Sequence, residues 1–171
     1  MMILRSPSLA DEQSLRAAQT ELASEGHYGF LLNDFSNDDV EFGAYIQRVS
    51  DYARGENLIQ GHVAATFLVA EVSGDIVGRV SIRHELNEFL TNFGGHIGYM
   101  VRPAFRMKGY ASEMLRQALL VAKGFGIQPL LITCNDDNIG SIKVIEKHGG
   151  ALENKVDDNG RLLRRYWIDN S

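Results

Sequence analysis

The chain has 171 residues, 44% of them hydrophobic, and a net charge of -5, enough for one ordinary core and a single domain over 1–171. Net acidity argues against the broad face of clustered Lys and Arg that nucleic acid requires, and no apolar run approaches the ~20 residues that span a bilayer, so neither nucleic acid nor membrane is an expected partner. Cys134, the only cysteine, excludes an internal disulfide and leaves no basis for structural zinc, so no metal is expected; the start Met-Met-Ile-Leu-Arg-Ser-Pro does not read as a signal peptide, and a cytoplasmic location is the expectation.

Residues 2–5 predict a short strand, and residues 10–24 a helix whose apolar face is Leu15, Ala18 and Leu22. After a polar, glycine-containing loop around 26–35, Ser36 and Asp39 read as a capping box ahead of Phe42, Tyr45, Ile46 and Val49, and Gly55 stops this second helix. Residues 64–72 and 76–84 are β-rich runs joined by Ser73-Gly74-Asp75, an antiparallel hairpin. Residues 86–95 read as a loop, and the strand 97–101 ends at Pro103, which cannot continue a ladder. Ala111, Met114, Leu115, Ala118, Leu119 and Ala122 then recur at the spacing of one helical face. Residues 129–134 give a short, fully apolar buried strand, and a helix begins at Asn138. Residues 151–156 and 162–168 flank Asp157-Asp158-Asn159-Gly160, in which Asn-Gly is a strong hairpin signal. The order β-α-α-β-β-β-α-β-α-β-β predicts an α/β protein with one mixed sheet and helices on its faces.

The most informative stretch is 96–111, a strand, a short loop and a helix start built around Arg106-x-x-Gly109-x-Ala111. A glycine there permits close backbone approach, and the unpaired N–H groups of the helix end carry roughly half a positive charge. Arg102, Arg106 and Lys108 add cations with no acid among them, so the stretch reads as a grip for one small anion. Gly-x-Gly-x-x-Gly after the first strand and Gly-Lys-Ser/Thr are both absent, which sets dinucleotide-binding and P-loop proteins aside.

Arg106-x-x-Gly109-x-Ala111 between a strand and an amphipathic helix resembles the acetyl-CoA signature of the GNAT (Gcn5-related) N-acetyltransferases. Asn138-Ile-Gly-Ser141, followed by Ile145-Glu146-Lys147-His-Gly149, resembles the later motif of that family, one helix and one strand further on. The segments 78–87 and 94–99 resemble a subgroup of acetyltransferases with no defined substrate. The resemblance implies the GNAT fold, α/β (α+β), with a mixed, mostly antiparallel twisted sheet of about six to seven strands and helices on both faces. It also implies acetyl-CoA as cosubstrate, with the amides of Met100 and Val101 toward the pantetheine or acetyl carbonyl. Arg106 and the N–H groups of Met107, Lys108, Gly109, Tyr110 and Ala111 would hold the pyrophosphate, and Asn138 and Ser141 would face the cofactor. The implied activity is acetyl transfer from acetyl-CoA to a primary amine of a small molecule or peptide, and a homodimer is the assembly the family suggests. The alternative is a non-catalytic acyl-CoA sensor or degenerate transferase.

Acetyl transfer to an amine needs a deprotonated nucleophile, stabilisation of the oxyanion and a proton for the leaving thiolate. The strand amide near Met100 can serve the oxyanion, a contribution of about 3 to 4 kcal/mol per donor in comparable sites. Because an alkyl ammonium with pKa near ~10 stays charged at neutral pH, a base is expected, and Glu85, His84 and His96 are the candidates. The family's usual leaving-group acid, a Tyr seven residues after the motif Asn, is Ile145 here, so Tyr99, Tyr110 or Cys134 must supply the proton unless solvent does. Arg83, His84 and Asn87, at the end of an apolar strand, are candidates for acceptor recognition, Arg83 and His84 through a substrate carboxylate; a loop stapled by its own hydrogen bonds is the structural alternative. Glu21, Glu25, Asp34, Asp38 and Asp39 could attract a cationic substrate or serve as caps and solvated faces.

Overall fold

The computed structural model describes residues 1–26, 29–32 and 41–171. Its elements are β1 (Met2–Arg5), α1 (Glu12–Ala23), α2 (Phe42–Arg54), β2 (Ala65–Val72), β3 (Asp75–Arg83), β4 (Ile97–Val101), α3 (Tyr110–Gly124), β5 (Leu130–Asn135), α4 (Ile139–Lys147), β6 (Ala151–Asp158) and β7 (Arg161–Ile168), in the order read from the sequence.

Local chemistry explains most of the boundaries. A short 3-10 turn, Leu9–Asp11, leads into α1, and Asp11 accepts from Ser8 N (2.7 Å) while pairing with Arg5 on β1 (2.7 and 2.8 Å). The carboxylate of Glu41 caps α2 by accepting from the N–H groups of Gly43 and Ala44, satisfying two donors the helix cannot satisfy itself. The Ser36/Asp39 capping box falls outside the described residues. Residues 86–95 are more ordered than the expected loop, because they contain a π-helical turn, Leu90–Gly94. Asn87 holds that turn by accepting from Leu90 N and Thr91 Oγ1. A single turn is too short to leave a helical period in the sequence.

The seven strands make two antiparallel sheets, β1-β2-β3-β4 and β5-β7-β6, where the sequence predicts one. The division lies between β4 and β5. Their starts touch at one point, where His96 N donates to Leu131 O (2.7 Å) and Leu131 N donates to His96 Nδ1 (2.9 Å). An imidazole nitrogen thus replaces the next backbone acceptor, and no ladder continues between the two strands. Gly95 permits this approach: its φ of +66° belongs to the left-handed region, and a Cβ would lie 2.7 Å from Leu131 O.

Two cores form on opposite sides of the first sheet, as the strand alternation requires. Val80, Ile82 and Ile97 pack with Met114, Leu115 and Ala118 of α3. Phe67, Val69 and Ile76 pack with Leu15, Leu22 and Tyr45 of α1 and α2. The first core anchors α3 so that its N-terminus stands at the C-terminal end of β4, which is where the grip was expected.

Candidate functional site

Beyond the His96–Leu131 contact the two sheets part. A cleft of about 670 Å³ opens there, lined by Tyr99, Met100 and Val101 of β4, by 105–107 and 109–112, and by Asn138, Ser141 and Val144 of α4. A smaller cavity of about 230 Å³ lies between Gly98 of β4 and Thr133 and Cys134 of β5, and shares Tyr99, Asn138 and Ser141 with the larger one. Nearly every residue assigned to cofactor binding from the two motifs therefore meets in one place. Lys108 is the exception, since its ammonium sits 5.5 Å from the Phe105 ring and outside the lining.

The alternation of the antiparallel ladder decides which β4 amides face the cleft. Arg102 N donates to Val77 O (2.9 Å) and Arg83 N to His96 O (2.7 Å), which turns the polar groups of every second residue, Met100 included, toward β3. The amides of Tyr99 and Val101 point the other way, into the gap. The expectation for Met100 is corrected on this ground: its N–H belongs to the ladder, and Val101 and Tyr99 carry the free donors.

At the mouth of the cleft, Gly109 is the N-cap of α3 with φ +80°, ψ 0°, and no side chain caps the helix. Helical N–H groups are therefore left without side-chain partners where the cleft begins. A Cβ on Gly109 would meet no atom within 4 Å, so the space in front of these donors is open. Met107 is also left-handed (φ +61°), which sends its side chain fully into solvent and leaves the backbone to line the loop. The cations are less free than the sequence suggests. Arg106 pairs with Glu25 (2.7 and 3.0 Å) and Arg102 with Glu21 (2.6 and 2.9 Å), both from α1 and the turn after it. Glu21 is held below the usual carboxylate range by its hydrogen bonds from Arg102.

Tyr99 stands at the junction of the two cavities. Its hydroxyl is buried and makes no formed hydrogen bond, although Ser141 is near enough to ease its ionisation slightly, and burial pushes its pKa up to about 12. Burial likewise pushes the Cys134 thiol up to about 11. Asn138 caps α4 by accepting from Ser141 N (3.1 Å). Ile145 is fully buried in the α3-side core and does not line the cleft, so the position of the family's Tyr presents no group to it.

The other candidates are not brought to the cleft. β3 and β4 are antiparallel, so the end of β3 lies beside the start of β4, away from the α3 N-terminus. His84 there bonds Thr66 Oγ1 (2.8 Å) and packs against the Phe125 ring, and Asn87 donates to Gly61 O (2.9 Å). Glu85 is exposed beyond them. His96 is buried, with Nδ1 committed as acceptor to Leu131, and burial together with the Arg83 charge lowers its pKa. Sequence reasoning missed Arg79, which lies on the same face of β3 as Arg83, and it missed the pairing of Glu21 and Glu25. The i, i+2 alternation of β3 carried the first signal, whereas nothing local carried the second, since the partners are 81 positions apart.

An acetyltransferase (GNAT) domain model matches residues 2–151. GCN5-related N-acetyltransferase 4, chloroplastic, of Arabidopsis thaliana is 28% identical over 115 residues, 67% of this chain and 36% of that protein. An acetyltransferase of Yersinia enterocolitica is 33% identical over 114 residues, 63% of this chain and 70% of its own length. Among solved structures, the microcin C7 self-immunity acetyltransferase MccE, in complex with acetyl-CoA and AMP, superposes with a TM-score of 0.72 at 18% identity, covering 98% of this chain and 92% of that one.

Proposed function

The chain belongs to the acetyltransferase (GNAT) family, and from that premise we propose that it transfers an acetyl group from acetyl-CoA to the primary amine of a small molecule or peptide by direct attack on the thioester. The observation that carries this reading is the junction of three things in one cleft: the uncapped N-terminus of α3 at Gly109, the cleft-facing amides of Tyr99 and Val101, and the buried, unbonded hydroxyl of Tyr99.

Acetyl-CoA, when bound, supplies the activated acetyl group. The residues present suit it: the open space before Gly109 and the free helix donors fit a pyrophosphate, with Arg106 beside them, and the edge amides of β4 fit an extended amide-bearing arm. The N–H groups of Tyr99 and Val101 are the donors in this reading for a carbonyl oxygen gaining negative charge, a task for which fixed backbone dipoles need no reorganisation. Burial keeps Tyr99 protonated throughout the neutral range, and in this reading it would give that proton to the leaving sulfur. Cys134, neutral for the same reason of burial, is a poor nucleophile, which favours direct attack over an acyl-cysteine route. His84, Glu85 and His96 lie outside the cleft lining, so the reading assigns the acceptor's proton to water in the open cleft.

Two measurements test it together: calorimetric titration with acetyl-CoA, and thiol release from acetyl-CoA over a panel of primary amines. Binding with amine-dependent thiol release is the expected result. Binding without any amine-dependent release would make the protein an acyl-CoA sensor, and absence of binding would remove the reading altogether.

A further inference from the structure

We propose that Arg79 and Arg83 form an anion subsite for the acceptor, so that the amine acetylated belongs to a molecule carrying a carboxylate or phosphate a few bonds away. The inference rests on the acetyl-transfer reading and narrows its substrate.

Alternate residues of β3 share a face, and 79, 81 and 83 stand on the face opposite Val80 and Ile82. Across the ladder from Ser81 is Gly98, which puts no side chain between the two arginines. A Cβ at Gly98 would lie 3.1 Å from Ser81 Oγ, 3.3 Å from Arg83 Nη1 and 3.4 Å from Arg79 Nη1, so both guanidinium groups converge on one point above that glycine. Two cations so placed repel each other unless something negative lies between them.

Nothing among the described residues does. Arg79 Nε is buried without a hydrogen-bond partner, Arg79 Nη1 reaches Ser81 Oγ only at 3.4 Å, and Arg83 Nη1 reaches Gly94 O only at 3.4 Å. Four other half-buried or buried arginines hold carboxylates: Arg5 with Asp11, Arg102 with Glu21, Arg164 with Asp136 and Arg165 with Glu153. An unpaired buried charge is costly, and no acid among the described residues offsets these two. Burial and the neighbouring Arg83 charge draw the Arg79 pKa down to about 10. Both residues nonetheless retain some surface.

Position gives the arginine pair its meaning. Gly98 also lines the small cavity that joins the main cleft at Tyr99. The donors of Tyr99 and Val101 lie one and three residues further along β4, at about 3.3 Å per residue. An anion held above Gly98 would therefore leave an amine on the same small molecule within reach of the thioester. Guanidinium forks suit the planar carboxylate and the phosphate group, and they repel polyamines.

The test compares acceptors in pairs at saturating acetyl-CoA: glycine against glycinamide, and O-phosphoethanolamine against ethanolamine, with spermidine as a cationic control. The anionic member should exceed its neutral counterpart at least about tenfold in kcat/KM, and Arg79→Gln or Arg83→Gln should abolish that preference through KM, as loss of a charged hydrogen bond does. Acetyl-CoA affinity should be unchanged in both variants. The two pairs show whether carboxylate or phosphate is the better occupant. Thermal unfolding in inorganic phosphate and in glycine, at constant ionic strength, supplies a readout independent of turnover, with stabilisation expected in wild type and absent in Arg79→Gln. Equal use of neutral and anionic amines, a preference for spermidine, or equal thermal response of wild type and variant to both ligands would overturn the subsite. Failure of acetyl-CoA to bind wild type would instead overturn acetyl transfer, while Arg79-dependent stabilisation by phosphate or glycine would still be observed.

Discussion

In the proposed reading Tyr99 is the proton donor, because Ile145, where the family resemblance implies a tyrosine, is a core residue. Replacing Tyr99 by Phe keeps the ring and removes the proton, so kcat should fall about a hundredfold with little change in KM, in line with the contribution of a positioned general acid. Stopped-flow or steady-state thiol release checks this, and a loss below about threefold would assign the proton to solvent. Since Tyr99 stays protonated up to about 12, it should produce no fall in rate between pH 7 and pH ~9.5. Among the described residues the only carboxylate lining the cleft is Glu25, which is paired with Arg106, so log kcat/KM should instead climb by about one per pH unit toward the acceptor's own pKa, near ~10 for an alkyl amine. A plateau near pH 7 would reveal a protein base. At Gly109 the φ of +80° adds a backbone constraint to the space that the proposed reading gives to phosphate. Gly109→Val should abolish acetyl-CoA binding in calorimetry, and it should also cost about 1 to 2 kcal/mol of stability, because a Cβ in the left-handed region meets its own backbone.

At the scale of elements, α1 and the loop before α3 are joined through charge. Glu21 and Glu25 hold Arg102 and Arg106, so the loop arrives with its cations already engaged. Arg106 is exposed and its pair with Glu25 is a surface pair, worth at most about 1 kcal/mol. Glu25→Gln should therefore release Arg106 for the pyrophosphate and tighten acetyl-CoA by up to about fivefold at low salt, the gain fading as salt screens it. Weaker binding in that variant would mean that Glu25 positions Arg106 rather than competing for it.

Across the whole molecule, the cleft exists because the sheets part after a single point of contact, and His96 makes that point. His96→Phe would leave the Leu131 N–H buried without an acceptor, at a cost of about 1 to 3 kcal/mol measurable by denaturant unfolding. The pH dependence has a definite sign. The folded-state pKa of His96 is lowered below its ordinary 6.5, mainly by burial, so the unfolded chain binds this proton more readily. Its contribution is complete above about pH 6.5 and declines as pH falls through the lower folded value. The wild-type protein should lose more stability than His96→Phe between pH 7 and pH ~5, and parallel curves would show that the ring does not titrate there. The helices, strands and their order were legible in the sequence because apolar period and turn chemistry are local properties, as at 111–122 and at Asn159-Gly160. The glycine-led start of α3 was legible for the same reason, since Gly109 and the helix donors next to it lie within a few residues. The division of the sheet depends on Gly95 and His96 meeting Leu131, and the direction of the Val101 amide depends on ladder phase. The retreat of His84, Glu85 and Asn87 from the cleft depends on β3 running antiparallel to β4. Sequence by itself determined the elements and the glycine-led helix start at 109, because short-range sterics and hydrogen bonding fix both; tertiary structure alone decided which amides stayed free, which cations were already paired and which arginines had no acid beside them among the described residues, because those outcomes rest on contacts between residues far apart in the chain.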